Sequence, residues 1–214
     1  MKRISLLATV VAAALLGALV IGATSASATV LCKQSAFANY CGYENFYPKG
    51  TNIEASLAPG TEAKLVDSVG TAYGKCKASS ISMTLNVIGG LNDAPGADVS
   101  AHSFGECSAS MSSTPYSDLW FYWTPETHGG TFWHGFVIET SLPKMWGLTG
   151  QCRYNMAQKG ETSQFVPGET PQMVYKNLPG ALEKSTSHWA CDPVASFTAT
   201  YNVSTPTPLY IEKY

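Results

Sequence analysis

From Ala195 to Val203 every second residue is small or apolar (Ala195, Phe197, Ala199, Tyr201, Val203), and Ser196, Thr198, Thr200 and Asn202 alternate with them. A period of two means a strand with one buried face and one wet face; a helix needs apolar residues three and four apart. The same period runs through Asn52–Leu57 and Ile81–Ile88, and Ala63–Asp67 follows the turn signal Pro59-Gly60. Leu119–Trp123 is a dense aromatic strand stopped by Thr124-Pro125. Thr131–Thr140 starts after Gly129-Gly130, so the two pair as a hairpin. Gln151–Asn155, Gln172–Lys176 and a short final strand, Leu209–Ile211, extend the series, and only Leu178–Lys184 hints at a helical turn. Many short strands with regular turn signals predict an all-β fold, an antiparallel β-sandwich of Ig-like or jelly-roll-like kind. The expectation is one sandwich domain over residues 29–214. The alternative is two small β domains split near residue 111, because residues 108–117 are rich in Ser and Thr.

The first 28 residues stand apart from this pattern. Met1-Lys2-Arg3 is basic, residues 4–21 are almost wholly apolar, and Ala26-Ser27-Ala28 offers small residues where a signal peptidase reads them. This is a secretory signal peptide with cleavage after Ala28, and the Ala-x-Ala end argues against a retained anchor. The protein is therefore expected to be secreted, extracellular or cell-wall associated, with no membrane contact after cleavage. The net charge is -2, and -4 once Lys2 and Arg3 leave with that segment. Nucleic acid is excluded as a partner, because no basic run remains.

Export gives the cysteines their meaning. Cys32, Cys41, Cys76, Cys107, Cys152 and Cys191 are six, an even set in an oxidising compartment, and so a disulfide framework. Sequence proximity favours Cys32–Cys41, Cys76–Cys107 and Cys152–Cys191 among the possible connectivities. No Cys-x-x-Cys or Cys-x-x-His spacing occurs, so no zinc site is expected.

Several stretches carry a resemblance: Leu31-Cys32 and Cys41; Tyr47-Pro48-Lys49-Gly50-Thr51-x-Ile53-x-Ala55-x-Leu57; Lys75-Cys76; Gly150-Gln151-Cys152-x-Tyr154; and Phe197-x-Ala199-Thr200-Tyr201-x-Val203-x-Thr205-Pro206-x-Pro208-Leu209-Tyr210. Together the chain resembles an uncharacterised family of small secreted actinobacterial proteins. The resemblance implies an exported, disulfide-bonded β protein and carries over no catalytic residues.

For chemistry, the densest feature is aromatic. In a strand, Trp120 and Tyr122 share one face, and Phe121 and Trp123 the other. Rigid rings in a row stack on sugars, so Trp120, Tyr122, Trp133 and Trp146 are the candidate ligand-binding residues, against the alternative that such rings fill a core. His102, His128, His134 and His188 have no metal-ligand spacing and are expected as exposed loop or edge residues. Glu126 and Glu139, at the two ends of the aromatic hairpin, are the best carboxylate pair for a hydrolase. There is no Gly-x-Ser-x-Gly, phosphate loop or dinucleotide fingerprint. No catalytic residue, cofactor or metal is therefore expected. The expected role is non-enzymatic, binding or structural, outside the cell. A carbohydrate-binding module is the first alternative and a small secreted hydrolase the second; cell-wall polysaccharide or an extracellular protein is the candidate partner.

Overall fold

We describe residues 29–35, 41–124, 129–142, 147–157 and 162–214 in a computed structural model of the chain. The signal segment expected over residues 1–28, together with Trp146, Glu126 and His128, lies outside the described residues. Described residues form fifteen strands and a single 3-10 turn at Tyr43–Asn45, with no α-helix among them.

The wall of the molecule begins with β2 (Asn52–Leu57) and β3 (Ala63–Asp67), which have the bounds their alternation predicted. They are the collinear halves of one interrupted strand. Both pair with β4 (Ala72–Val87) on one side and β14 (Val194–Thr205) on the other. Next comes β6 (Gly96–Cys107), antiparallel to β4. The chain then returns through β7 (Met111–Pro115), which packs beside β6, and β8 (Leu119–Thr124). The Ser/Thr-rich residues 108–117 thus contribute β7 to the wall. The expected strand 131–140 is broken into β9 (Gly129–Trp133) and β10 (Phe136–Ser141), which pair with β8 and β7. Collinear β11 (Gln151–Met156) and β12 (Ser163–Val166) follow, then β13 (Gln172–Leu182), and β13 pairs with β14.

The ladder β14–β3–β4–β6–β8–β9–β12–β13 returns to β14, so the sheet closes into an eight-strand barrel. This corrects the expected sandwich. All-β and antiparallel hold, but the two inner faces of a sandwich are here one continuous inner face. The physical reason is the seam: β14 finds β2 and β3 as partners on its second edge, and closure satisfies both edges at once.

The expected helical turn at 178–184 is also corrected. Leu178–Leu182 continue β13 after a bulge at Asn177, whose φ is 50°. The Asn177 N–H donates to Thr198 Oγ1 (3.1 Å), which donates in turn to Asn177 Oδ1 (3.0 Å). With Leu178 fully buried and partners waiting on β11 and β14, ladder pairing outweighs the local helical tendency.

An eight-strand barrel has an interior just wide enough to be filled by side chains, and this one is filled mainly by rings. Phe121, Phe132, Phe136, Phe165 and Phe197 are buried there with Tyr73, Tyr154, Tyr175 and Tyr201. Phe197 meets Phe104, Phe136 and Tyr175 edge-on. Burying each Phe side chain contributes about 1.5–3 kcal/mol.

A small sheet of β1 (Thr29–Cys32), β5 (Gly89–Gly90) and β15 (Tyr210–Lys213) packs at the barrel end where β8 and β9 meet. Ile211 reaches the core there, against Gly130. At Gly89, with φ 84°, a Cβ would fall 2.0 Å from Thr29 O, so only glycine fits the junction. Disulfides Cys32–Cys41, Cys76–Cys107 and Cys152–Cys191 join sequence neighbours. They hold the cap, the β4–β6 pair and the loop before β14 respectively.

Candidate functional site

Alternation along β8 and β9 decides which rings face out. Leu119, Phe121 and Phe132 are fully buried, so Trp120, Tyr122 and Trp133 point to the outer wall. All three are half-buried. Trp120 sits directly across from Trp133, and Tyr122 across from Thr131. Trp120 also pairs with Gly96 on β6. A Cβ on Gly96 would come within 3.0 Å of Trp120 Cζ3 and 3.1 Å of Cε3, so the indole lies close over the bare Cα. The rings are thus neither free in solvent nor sunk in the core; they rest on the wall.

Polar groups border Trp120. The same missing Cβ of Gly96 would lie 3.2 Å from Asn86 Oδ1, which places this amide beside the indole. Asn86 Nδ2 donates to Asp98 Oδ1 (2.5 Å) and to Asp118 Oδ2 (3.4 Å). Asn86 Oδ1 is itself shielded from water and has no hydrogen-bond partner among the described residues. The sequence reading missed this trio. Its signal was parity: Asp118 stands two residues before Trp120 in the outward phase, and Asn86 ends the outward series Ser80, Ser82, Thr84.

The histidines require a correction. His102 and His134, expected on loops or edges, are inside the barrel. Ser79 Oγ gives its one proton to Ser103 O (2.7 Å), so it accepts from Tyr201 Oη (2.8 Å). Tyr201 Oη then accepts from His102 Nε2 (3.0 Å), and His102 Nδ1 accepts from Ser113 Oγ (3.2 Å). This order of donors fixes the neutral tautomer of His102. His134 Nδ1 meets Tyr175 Oη at 2.9 Å, while its Nε2 has no partner among the described residues. Burial pushes the His134 imidazole down to about 3. Burial, and then the nearby His134, hold His102 well below the usual histidine range. Burial likewise raises the phenols of Tyr175 and Tyr201. These neutral groups cross-brace β4, β6, β7, β13 and β14 from within.

Glu139 is occupied elsewhere. Arg153 lies 2.7 Å from it through Nη1 and 2.6 Å from Glu183 through Nε. At the end of the barrel away from Trp120, Trp189 is 83% exposed. It sits on a turn closed by Cys191 N–H to His188 O (3.0 Å) and tied to β11 through Cys152–Cys191. Among the described residues no three His, Cys, Asp or Glu side chains gather as metal ligands, and no helix is long and apolar enough to cross a membrane. No protein family, curated protein or solved structure matches the chain.

Proposed function

We propose that this is an extracellular binding protein without catalytic activity, and that it holds carbohydrate on its outer wall through Trp120, Tyr122 and Trp133. The observation that carries the reading is the Trp120 indole resting over Gly96, opposite Trp133, on a wall face otherwise built of short polar side chains. A half-buried indole presents one broad apolar face at little entropic cost, which is what the C–H face of a pyranose stacks on. Three disulfides fit an extracellular setting. So do the signal-like first 28 residues and the resemblance to small exported actinobacterial proteins.

The test is retention of the oxidised chain on insoluble polysaccharides and purified cell wall, with Trp120→Ala and Trp133→Ala compared and folding checked by circular dichroism. Folded variants should lose about tenfold or more in retention, since removing a central aromatic contact costs about 2 kcal/mol. Full retention by both folded variants refutes the assignment. A second reading, an extracellular protein partner, is favoured by one observation: Trp189 projects from a disulfide-held turn, and exposed rigid indoles are typical anchors of protein interfaces.

A further inference from the structure

Asn86, Asp98 and Asp118 give the aromatic face a chemical preference, an inference that rests on the glycan reading above. We infer that Asp98 and Asp118, positioned by Asn86, read the hydroxyls of an uncharged sugar stacked on Trp120, and that they exclude acidic glycans. Three observations meet at one point. Trp120 and Asn86 Oδ1 both converge on the bare Cα of Gly96, so the stacking ring and the amide border the same spot. Asn86 Nδ2 holds one oxygen of each carboxylate, fixing two acceptors side by side on the outer wall. Asn86 Oδ1 is screened from water, so the amide acts by holding the two carboxylates rather than by touching the sugar.

A carboxylate only accepts, and each of its oxygens has two lone pairs, so engagement by Asn86 does not exhaust it. The site therefore lacks donors and is rich in acceptors. A sugar with neighbouring hydroxyls supplies O–H groups to Asp98 and Asp118 while its C–H face lies on the indole. A uronic acid or phosphate-bearing polymer brings an anion to a place already holding two. Neither Asp98 nor Asp118 has a basic partner among the described ion pairs, so nothing offsets that repulsion. The rule that isolates this selectivity is simple: acceptors reject what cannot donate, and like charges repel.

The experiment compares retention of the oxidised full chain on cellulose, chitin and insoluble polygalacturonic acid at pH 7. It uses the wild type, Asp98→Asn, Asp118→Asn, the double variant and Trp120→Ala. Trp189→Ala, at the far end of the barrel, controls for nonspecific aromatic adhesion. The expected result is wild-type retention on a neutral polymer and none on the polyuronate. Each Asn variant should fall roughly tenfold on the neutral polymer, because a charge-assisted hydrogen bond becomes a neutral one. The double variant should gain retention on polygalacturonic acid, a change that simple misfolding does not produce. Equal wild-type retention on neutral and acidic polymers overturns the inference, as do Asn variants that behave like the wild type on both. If Trp120→Ala alone abolishes retention, the glycan reading survives and only the role of the trio falls. If the wild type is retained on none of the polymers, both fall together.

Discussion

Acid should weaken this fold in a way that one residue, His134, can report. The ring is 1% exposed, sits beside Phe136 and Tyr175, and stays neutral in the folded chain until about pH 3. In the unfolded chain it takes up a proton near the ordinary value of about 6.5. Its folded pKa is depressed, so its contribution is complete about a unit above pH 6.5 and is lost progressively as pH falls through 6.5 toward 3. Between pH 6.5 and 4.5 that loss is about 2.3 kcal/mol from His134 alone, because the slope reaches its full value of about 1.36 kcal/mol per pH unit only below the unfolded pKa. His102 is shifted in the same direction by its own burial and adds to the slope. His134→Phe retains the ring volume but leaves Tyr175 Oη without its partner, so at pH 7 it should cost about 1–3 kcal/mol. At pH 4.5 the wild type has lost the His134 contribution while the variant has not, and the gap should close or reverse. Urea unfolding of the oxidised protein at half-unit steps from pH 7 to 4.5 measures this, with m-values confirming a common unfolded state. Parallel pH dependence in wild type and variant would falsify the interior placement of a neutral His134.

Other perturbations give separate expectations. Replacing Cys76 and Cys107 by Ala opens a link spanning 31 residues and should lower stability by roughly 3–4 kcal/mol, read as a shift in urea midpoint. Gly130→Val places a Cβ 2.6 Å from Ile211 Cδ1 and 2.7 Å from Tyr122 O. It should destabilise by about 1–3 kcal/mol and speed hydrogen exchange in β1 and β15 before the rest of the wall. Phe197→Ala removes a ring touching Phe104, Phe136 and Tyr175 and should cost about 3–5 kcal/mol by the same denaturation assay.

Local patterning and long-range closure differ in how far the sequence exposes them. Asn52–Leu57 and Ala63–Asp67 are strands with the bounds their alternation implies, because period two is written residue by residue. Barrel closure is not written that way. It depends on Tyr201 finding Leu57 and Phe197 finding Leu65, pairs far apart in the chain with no local signature. The outward placement of Trp120 and Tyr122 follows from parity with Phe121. The interior placement of His134 is legible only in phase: Phe132-x-His134-x-Phe136 sets it in line with two buried rings. Leu178–Leu182 misled because Ala-Leu-Glu-Lys composition favours a helix, and only the waiting edges of β11 and β14 override it.

The closed seam has a further consequence for what happens when the fold yields. While β14 lies between β13 and the β2–β3 pair, its alternating Ala195-to-Val203 face has no unpaired backbone to offer. If acid loosens the interior histidines and the seam parts, two long edges appear at once, both apolar on every second residue. Such edges template pairing between chains. The same closure that completes the wall thus sets the failure mode: on acidification the molecule should associate edge to edge rather than simply expand.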